Sequence, residues 1–469
     1  MQQSATLKRS LGLGAIVLLG IGYMTPMVVF DTVGIVSGET GGHVPAAYVI
    51  ALAAMLFTAL SYGRMVRVYP SAGSAYTYTQ KALNPHLGFM VGWSSLIAYV
   101  FLPMTNAFLT QIYMSALFPS VPSWMWVIGF AAFVTIVNAM GMKSTSNLNT
   151  LLVVFQFLVI VIFIVLAARA LYNGVGYGTI FTIEPFYKSG MDTSGLIAGA
   201  TLLCFSFLGF DAVTMYSEET PNPVKTIPRA IFLTALAGGV LFITVSYFVQ
   251  ALFPSVNDFH DPSSASPEVA LKVAGQLFQA FFLAGALAGT IASGLASHAS
   301  VSRLLYVMGR DGVIPRKIFG YVHPRLHTPL FNVIIVGIVT CSAILFTLDT
   351  ATSFVSFGGL VAFTFVNLCV IAHYAVKKKE INSPMKIIVN VIAPVIGAAF
   401  VGLLWFNLEE VSFKLGLIWT ALGVLYLMYL TKMFKQKPVD IAFDEAEESS
   451  YIETEEDTET ASKEKRKTS

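Results

Sequence analysis

Twelve long apolar runs constrain this chain more than any other feature of its sequence. Each run holds about 20 residues or more, the length that an α-helix needs to cross the hydrocarbon core of a bilayer. Because backbone polar groups in lipid need internal partners, the pattern predicts an all-α polytopic membrane protein with twelve transmembrane helices. The runs fall at about residues 11–36, 44–67, 87–117, 122–141, 148–171, 194–217, 229–253, 275–302, 329–348, 352–376, 387–408 and 412–433.

The composition supports the same class of protein. Of 469 residues, 55% are hydrophobic and only 12% are charged, which lies far outside the usage of soluble domains. Cys204, Cys341 and Cys369 all sit inside apolar runs, so they predict packing roles and no disulfide framework. We predict no metal site, no cofactor and no nucleic-acid partner, with the lipid bilayer as the surroundings and the oligomeric state left open.

The basic residues predict the orientation of the chain in the membrane. Seventeen lysines and arginines fall in the segments that share a side with the N-terminus, and four fall opposite, Arg169, Lys188, Lys272 and Lys414. Lysine and arginine concentrate in cytoplasmic loops, so we expect both termini in the cytoplasm. The segment 434–469 is rich in acidic residues and lacks apolar periodicity, which predicts a disordered cytoplasmic tail.

Two of the runs, the first and the sixth, are interrupted in a similar way. The first contains Gly20-Ile21-Gly22, then Thr25-Pro26, then Phe30-Asp31, and the sixth contains Phe207-Leu208-Gly209, then Phe210-Asp211. Interrupted spans at corresponding positions of two halves predict an inverted-repeat transporter with a binding site near the bilayer midplane. For each break taken singly, an ordinary kinked helix is the alternative.

This similarity between the first and sixth runs divides the chain into five parts. They are a cytoplasmic N-terminus at 1–10, a first five-helix repeat at 11–171, a second, inverted five-helix repeat at 194–376, helices 11 and 12 at 387–433, and the tail at 434–469.

Asp31 and Asp211 are the carboxylates that fall inside apolar runs of the body of the chain. A charged side chain at bilayer depth costs roughly 2.5 to 3.5 kcal/mol on insertion scales, so each predicts a function. Pro26 offers no backbone amide to a substrate carboxylate, and Asp31 would repel one. A substrate with two ammonium groups, one for each aspartate, is therefore favoured. The alternative is an aspartate turned towards a water-filled vestibule.

Several motifs resemble the amino acid-polyamine-organocation (APC) superfamily. The motifs are Leu19-Gly20-Ile21-Gly22, Gly209-Phe210-Asp211-Ala212-Val213, Glu218-Glu219-Thr220-Pro221, Arg310-Asp311-Gly312 and Ser356-Phe357-Gly358-Gly359-Leu360. Others are similar to the bacterial putrescine importers, among them Thr25-Pro26-Met27, Gly42-His43-Val44-Pro45-Ala46 and Ser297-His298-Ala299-Ser300. The resemblance implies a LeuT-like permease with a five-plus-five inverted repeat and broken helices 1 and 6, in a bacterial cell membrane. It implies proton-coupled import of a polyamine, putrescine above all, by alternating access. A cation-coupled amino-acid permease is the alternative.

The predicted substrate site gathers around the two breaks. Aromatic side chains there can flank methylene groups and offer cation–π faces to ammonium groups. Tyr99 and Phe210 are included because the resemblance implies positions near the site. The predicted substrate-binding residues are Tyr23, Thr25, Asp31, Tyr99, Ser206, Phe207, Gly209, Phe210 and Asp211.

Coupling and gating are assigned to a second set of residues. The resemblance implies that Gln156 stands where many relatives have a lysine that replaces a sodium ion. Ser297 and His298 are candidates for holding a cation or a proton, and a histidine hydrogen-bonded in the bundle is the alternative. Asp211 is the preferred proton carrier, with sodium as the other cation. Glu218 and Arg303 are candidate gate residues, against solvated loop charges.

An enzyme is not expected from this sequence. The adjacent Ser297 and His298 project about 100 degrees apart on a helix, so they cannot form a nucleophile and base pair. A membrane receptor would need a folded partner domain, and the polar tail is too short for one.

Overall fold

A computed structural model describes residues 9–259, 265–346, 348–406, 408 and 410–433. Over these residues every regular element is a helix. In chain order they are α1 (Leu13–Met24), α2 (Val28–Thr40), α3 (Val44–Val68), α4 (Ser74–Ala82), α5 (Pro85–Leu117), α6 (Ser123–Ala139), α7 (Met142–Tyr172), α8 (Thr193–Leu203), α9 (Pro223–Leu252), α10 (Ala265–Arg310), α11 (Arg316–Phe319), α12 (Leu330–Cys341), α13 (Leu348–Val370), α14 (Pro384–Ile387), α15 (Ala393–Phe406) and α16 (Glu410–Leu430).

Many of these helices, alone or joined to a neighbouring helical turn, are long and apolar enough to span a membrane. In the described part of the chain nine spans meet that test, and α1 with α2 forms a tenth that is bent by 46°. Two shorter apolar helices, Ser123–Ala139 and Leu330–Leu345, coincide with the fourth and ninth predicted runs. The prediction of a polytopic all-α membrane protein is confirmed. All of the predicted tail, 434–469, and most of the N-terminus, 1–10, lie outside the described residues.

The bundle is held together where small residues let helices approach closely. Gly238 and Gly239 of α9 face the first span and α3. A Cβ on Gly238 would lie 2.6 Å from the Met24 methyl group, and one on Gly239 would collide with Leu52. In lipid, helix association depends on this close van der Waals packing, because the tails are as apolar as the side chains.

The two faces of the bundle can be told apart by the chain's path. The backbone amides of Ser10 and Leu11, just before α1, donate to the Glu219 carbonyl at 2.9 and 3.0 Å. We call this the N-terminal face. Because α2 continues the first span away from it, Thr40 at the end of α2 lies on the opposite face.

The short helix α4 lies between the second and third spans and was not predicted. Its sequence is mostly polar, yet eight of its nine residues are buried, and it packs against α5 and α13. Tyr78 of α4 meets the Tyr62 ring of α3 edge-on, with ring centroids 6.3 Å apart. α4 therefore reaches the part of the bundle where the two broken spans meet.

Candidate substrate site

The first span breaks at Thr25–Met27, as the sequence predicts. Pro26 has no amide to continue the helix, and Thr25 takes a positive φ of 56°. The Thr25 amide still donates to Gly22 at 3.3 Å, and the Val28 amide donates to Thr25 at 3.0 Å. The Tyr23 carbonyl accepts from the Ser293 hydroxyl of α10 at 3.0 Å, so a neighbouring span satisfies a backbone group beside the break.

The sixth span also breaks where predicted. After α8 the chain forms a 3₁₀ turn at Cys204–Phe207, and a second 3₁₀ segment runs over Asp211–Glu219. Gly209 between them has φ of 110°, which L side chains rarely adopt, and a Cβ there would collide with the Tyr23 ring. Glycine at this position therefore lets the two broken spans touch.

Asp211 is buried at this junction, with 3% of its surface exposed. Its carboxylate accepts hydrogen bonds from the Tyr99 hydroxyl, from the Tyr62 hydroxyl at 3.4 Å and from the Gly209 amide at 3.3 Å. All three are neutral donors. Among these partners the carboxyl group is hydrogen-bonded but not paired with a cation.

A small cavity of about 20 Å³ lies beside this carboxylate. Asp211 is the one acidic residue among the ten that line it, and none of the ten is a lysine or arginine. The lining residues are Tyr23, Ala98, Tyr99, Leu102, Leu208, Gly209, Asp211, Val355, Gly358 and Gly359. We call this space the Asp211 cavity. An anionic, aromatic-walled cavity at a double helix break suits a small cation with an apolar body.

Four of the nine predicted substrate residues line this cavity, namely Tyr23, Tyr99, Gly209 and Asp211. Thr25 is half-buried at the first break. Phe210 stacks on Phe363 of α13 with centroids 5.5 Å apart, beside the cavity and not in its lining. Phe207 packs edge-on against Phe242 of α9.

Asp31 and Ser206 lie on the other side of the breaks, towards the opposite face. The Ser206 hydroxyl is 3.3 Å from the Tyr48 hydroxyl, which is also 3.3 Å from Thr32. Asp31 is exposed on α2 and its carboxylate hydrogen-bonds Ser266 of α10. It is not part of the cavity lining, so the structure does not bring the two predicted aspartates together in one cavity.

The predicted coupling residues are all buried between helices. The Gln156 side-chain amide donates to Leu152 of its own helix at 3.5 Å, and its oxygen points at α10 near Gly289. Ser297 donates to Gly294 at 3.3 Å. His298 faces α6, with Nε2 3.4 Å from the Thr135 hydroxyl. None of the hydrogen bonds described for Ser297 or His298 reaches the first span.

Asn149 of α7 is a residue that the sequence reasoning missed. It is fully buried, and its Nδ2 donates to the Ala292 carbonyl of α10 at 2.9 Å. A Cβ on Gly22 of α1 would lie 2.6 Å from the same amide, so Asn149 touches α1 as well as α10. It thus lies between spans one, five and eight. A polar amide near the start of an apolar run is the signal that could have found it.

Tyr62 was also missed, since the chain has 19 tyrosines and nothing in the local sequence distinguishes this one. It comes from α3 and is completely buried. Its ring packs edge-on against Phe210 at 6.0 Å, which directs its hydroxyl towards Asp211.

Two groups of ion pairs lie at the N-terminal face, where the sixth span ends. Arg303 of α10 makes two hydrogen bonds to the Glu219 carboxylate, at 2.8 and 2.9 Å, with only 3% and 2% of the two side chains exposed. Arg310 pairs with Glu218 at 3.1 Å and with Asp311 at 3.3 Å. Burial raises the pKa of the Asp311 carboxyl to about 6, although Arg310 opposes the shift. The two predicted gate residues, Glu218 and Arg303, therefore belong to neighbouring pairs and not to the same one.

A bundle of membrane-spanning helices around a small buried cavity, at the junction of two broken spans, is typical of membrane transporters of small molecules. The amino acid permease family model matches residues 15–411, and the chain belongs to that family. The predicted superfamily resemblance and the prediction of a transporter over an enzyme are thereby confirmed.

Named relatives show how the family varies. The chain is 50% identical to the low-affinity putrescine importer PlaP of Escherichia coli (strain K12) over 429 residues, which covers 92% of this chain and 95% of that protein. It is 29% identical to the branched-chain amino acid permease BcaP of Bacillus subtilis (strain 168) over 457 residues, 92% of this chain and 95% of that protein. It is 27% identical to human cationic amino acid transporter 4 over 403 residues, 81% and 62% of the two chains.

Proposed function

We propose that this protein is a secondary active transporter that imports a polyamine, putrescine in the first place, by proton-coupled alternating access. The observation that carries the proposal is the Asp211 carboxylate, buried among tyrosine hydroxyls in a cavity whose lining contains no lysine or arginine. An ammonium group needs just such a charged acceptor with supporting oxygen atoms. The 50% identity to a putrescine importer along most of both chains points to the same substrate.

The backbone at the two breaks argues against a substrate carboxylate. A carboxylate would need free amides or a cation. The amides of Thr25, Val28, Gly209, Phe210 and Ala212 already donate to acceptors within the chain. The substrate is therefore one that carries amines and no carboxylate, and this argument does not require Asp31 to share the cavity.

An amino-acid permease is the second candidate. The family and the likeness to BcaP favour it. An α-amino acid could place its ammonium on Asp211, but its carboxylate would then lie close to the same charge in a cavity without a lysine or arginine.

A five-plus-five inverted repeat and twelve spans are part of the proposal. The contacts between helices support them, because a contact made by a helix of one half has a counterpart made by the equivalent helix of the other half. α3 packs on α9, and α5 packs on α10. The contact of α5 with α13 has its counterpart in α10 with α7, and that of α1 with α9 in α3 with α8. An inverted repeat produces exactly matched contacts of this kind.

Coupling to protons follows from the unpaired charge on Asp211. Its partners are three neutral donors, so either a substrate ammonium or a proton would neutralise it. We propose that the carboxyl group is protonated when the cavity holds no amine. Sodium is the competing cation. Uptake into proteoliposomes under an imposed pH gradient or an imposed sodium gradient decides between the two.

Alternating access would open and close the two faces in turn. We propose that the N-terminal face is cytoplasmic, in a bacterial inner membrane with both termini inside, and that Arg303 with Glu219 closes it. The excess of lysine and arginine on that side supports this orientation.

Substrate competition tests the proposal. In proteoliposomes, unlabelled putrescine and other diamines are expected to block uptake of labelled putrescine at low excess. Branched-chain and cationic α-amino acids at the same excess are expected to leave at least about half of the uptake. The reverse order of inhibition would contradict a polyamine importer and favour the amino-acid permease.

The glycine break is tested in the same assay. Gly209→Ala is expected to reduce uptake at least about tenfold, because strain at a positive φ costs roughly 1–3 kcal/mol and the methyl group meets the Tyr23 ring. Gly402→Ala in α15 is the matched control, since a Cβ there has nothing within 4 Å, and it should transport normally. Equal uptake by the two variants would refute this role of the break.

A further inference from the structure

One face of α2 is exposed although the helix forms half of a membrane span. Asp31, Ile35 and Glu39 follow one another at four-residue intervals, so they share a face, and all three are exposed. The other face, which includes Phe30 and Val33, is buried against the bundle. Any account of Asp31 must explain what this exposed face meets.

Side chains from three other helices stand around Asp31. Ser266 of α10 hydrogen-bonds its carboxylate, and Tyr48 of α3 and Tyr113 of α5 lie close enough to interact with its charge. A carboxylate turned to hydrocarbon would be costly at this depth. The exposed face of α2 is therefore best explained as one wall of a water-filled passage between helices.

Such a passage would connect the opposite face with the Asp211 cavity. α2 begins at Val28, directly after the break, and Tyr23 before the break lines the cavity. Asp31 lies about 4.5 Å further along the helix axis than Val28, at a rise of 1.5 Å per residue. At the N-terminal face lies the buried pair of Arg303 and Glu219, which the proposed function assigns to closing that face. Along α2, a solute entering from the opposite face would therefore reach Asp31 before Asp211.

We propose that Asp31 forms an outer binding site for the cationic substrate. The two aspartates then bind the amine one after the other and not as a pair in one cavity. Asp31 takes an ammonium group of the incoming amine, and the amine then moves inwards to Asp211. This inference rests on the proposed function, because it requires a cationic substrate. In this arrangement Asp31 sets the rate at which the amine enters, and Asp211 sets the affinity for the bound amine.

Binding kinetics separate the series arrangement from the paired one. With purified protein in nanodiscs, Asp31→Asn is expected to slow both association and dissociation of putrescine about tenfold, the lower end of what a charge on an entry path contributes. The equilibrium Kd should stay within about twofold. Asp31→Glu should restore most of the rate. Glu410→Gln, in an exposed pair with Lys414 at the start of α16, is the matched control and should change the rates less than twofold.

Two results would overturn the inference. A Kd weakened tenfold with unchanged association would mean that both aspartates hold the bound amine together. Rates equal to those of the unaltered protein would mean that Asp31 is not on the path. Failure of the unaltered protein to bind putrescine would instead remove the proposed function itself, so the two failures can be distinguished.

A labelling experiment covers the case in which the Asp31 variants do not fold. Ile35→Cys, one turn further out and 48% exposed, should react with a membrane-impermeant cationic thiol reagent, and putrescine should slow the reaction. The naturally occurring cysteines are replaced by serine beforehand. A cysteine at position 35 that does not react would place this face in lipid and contradict the passage.

Discussion

Asp211→Asn is expected to abolish putrescine uptake while the protein still reaches the membrane. The substitution keeps the shape of the side chain and removes its charge, so a bound ammonium would be buried without a counter-charge. Removing one partner of a buried ion pair costs roughly 3–5 kcal/mol. At about 1.4 kcal/mol for each factor of ten, affinity should fall at least about 100-fold. Initial uptake rates in proteoliposomes measure the effect.

Asp192→Asn is the matched control for this variant. Asp192 caps the start of α8 in the same span and accepts hydrogen bonds from the amides of Ser194 and Gly195. Asparagine caps a helix about as well as aspartate, so uptake should be unchanged. Retention of uptake by the Asp211 variant within twofold of the control would remove Asp211 from the substrate site.

Glu219→Gln is expected to open the N-terminal face. Arg303 would keep its charge at 3% exposure without a carboxylate, which should destabilise the closed arrangement by about 3–5 kcal/mol. A cysteine in place of the buried Ser217 reports the change, because it should react with a thiol reagent much faster in the Glu219 variant. Net uptake should fall, since a face that cannot close cannot alternate.

Two controls for this second prediction distinguish opening of the N-terminal face from a general loss of protein stability. Glu184→Gln breaks an exposed pair with Lys188 at 3.8 Å and should have an effect below about 1 kcal/mol. The double substitution R303M with E219L buries no charge and should restore slow labelling. If Ser217→Cys reacted equally fast with and without Glu219, this pair would have no role in closing the face.

The positions of both breaks follow from local chemistry, which is why the sequence predicts them. Pro26 removes an amide at the first break, and Gly209 supplies the positive φ that the second requires. The same holds for the exclusion of a substrate carboxylate at the first break. These features depend on residues close in sequence and need no knowledge of the fold.

Features that depend on distant contacts were not predictable. Tyr62 hydrogen-bonds Asp211, which lies 149 positions later in the chain. Arg303 pairs with Glu219 and not with the adjacent Glu218 because of how α10 packs on the end of the sixth span. Asp31 shows the same limit. The sequence places it one turn beyond a break, but the direction of its side chain depends on how α2 packs after a 46° bend.

The start of α9 shows how a proline pattern can mislead. The predicted seventh run begins at 229, whereas the helix begins at Pro223. Proline is favoured at the first position of a helix, where its missing amide costs nothing. Pro228 follows inside the same helix, with its ring beside Gly63 of α3.

The most direct measurement of the central claim is equilibrium binding of labelled putrescine to purified protein with and without the Asp211 carboxylate. We predict saturable binding to the unaltered protein that diamines displace and α-amino acids do not, and no saturable binding to the Asp211→Asn variant. Equal binding by the two proteins, or displacement by α-amino acids in preference to diamines, would contradict the account.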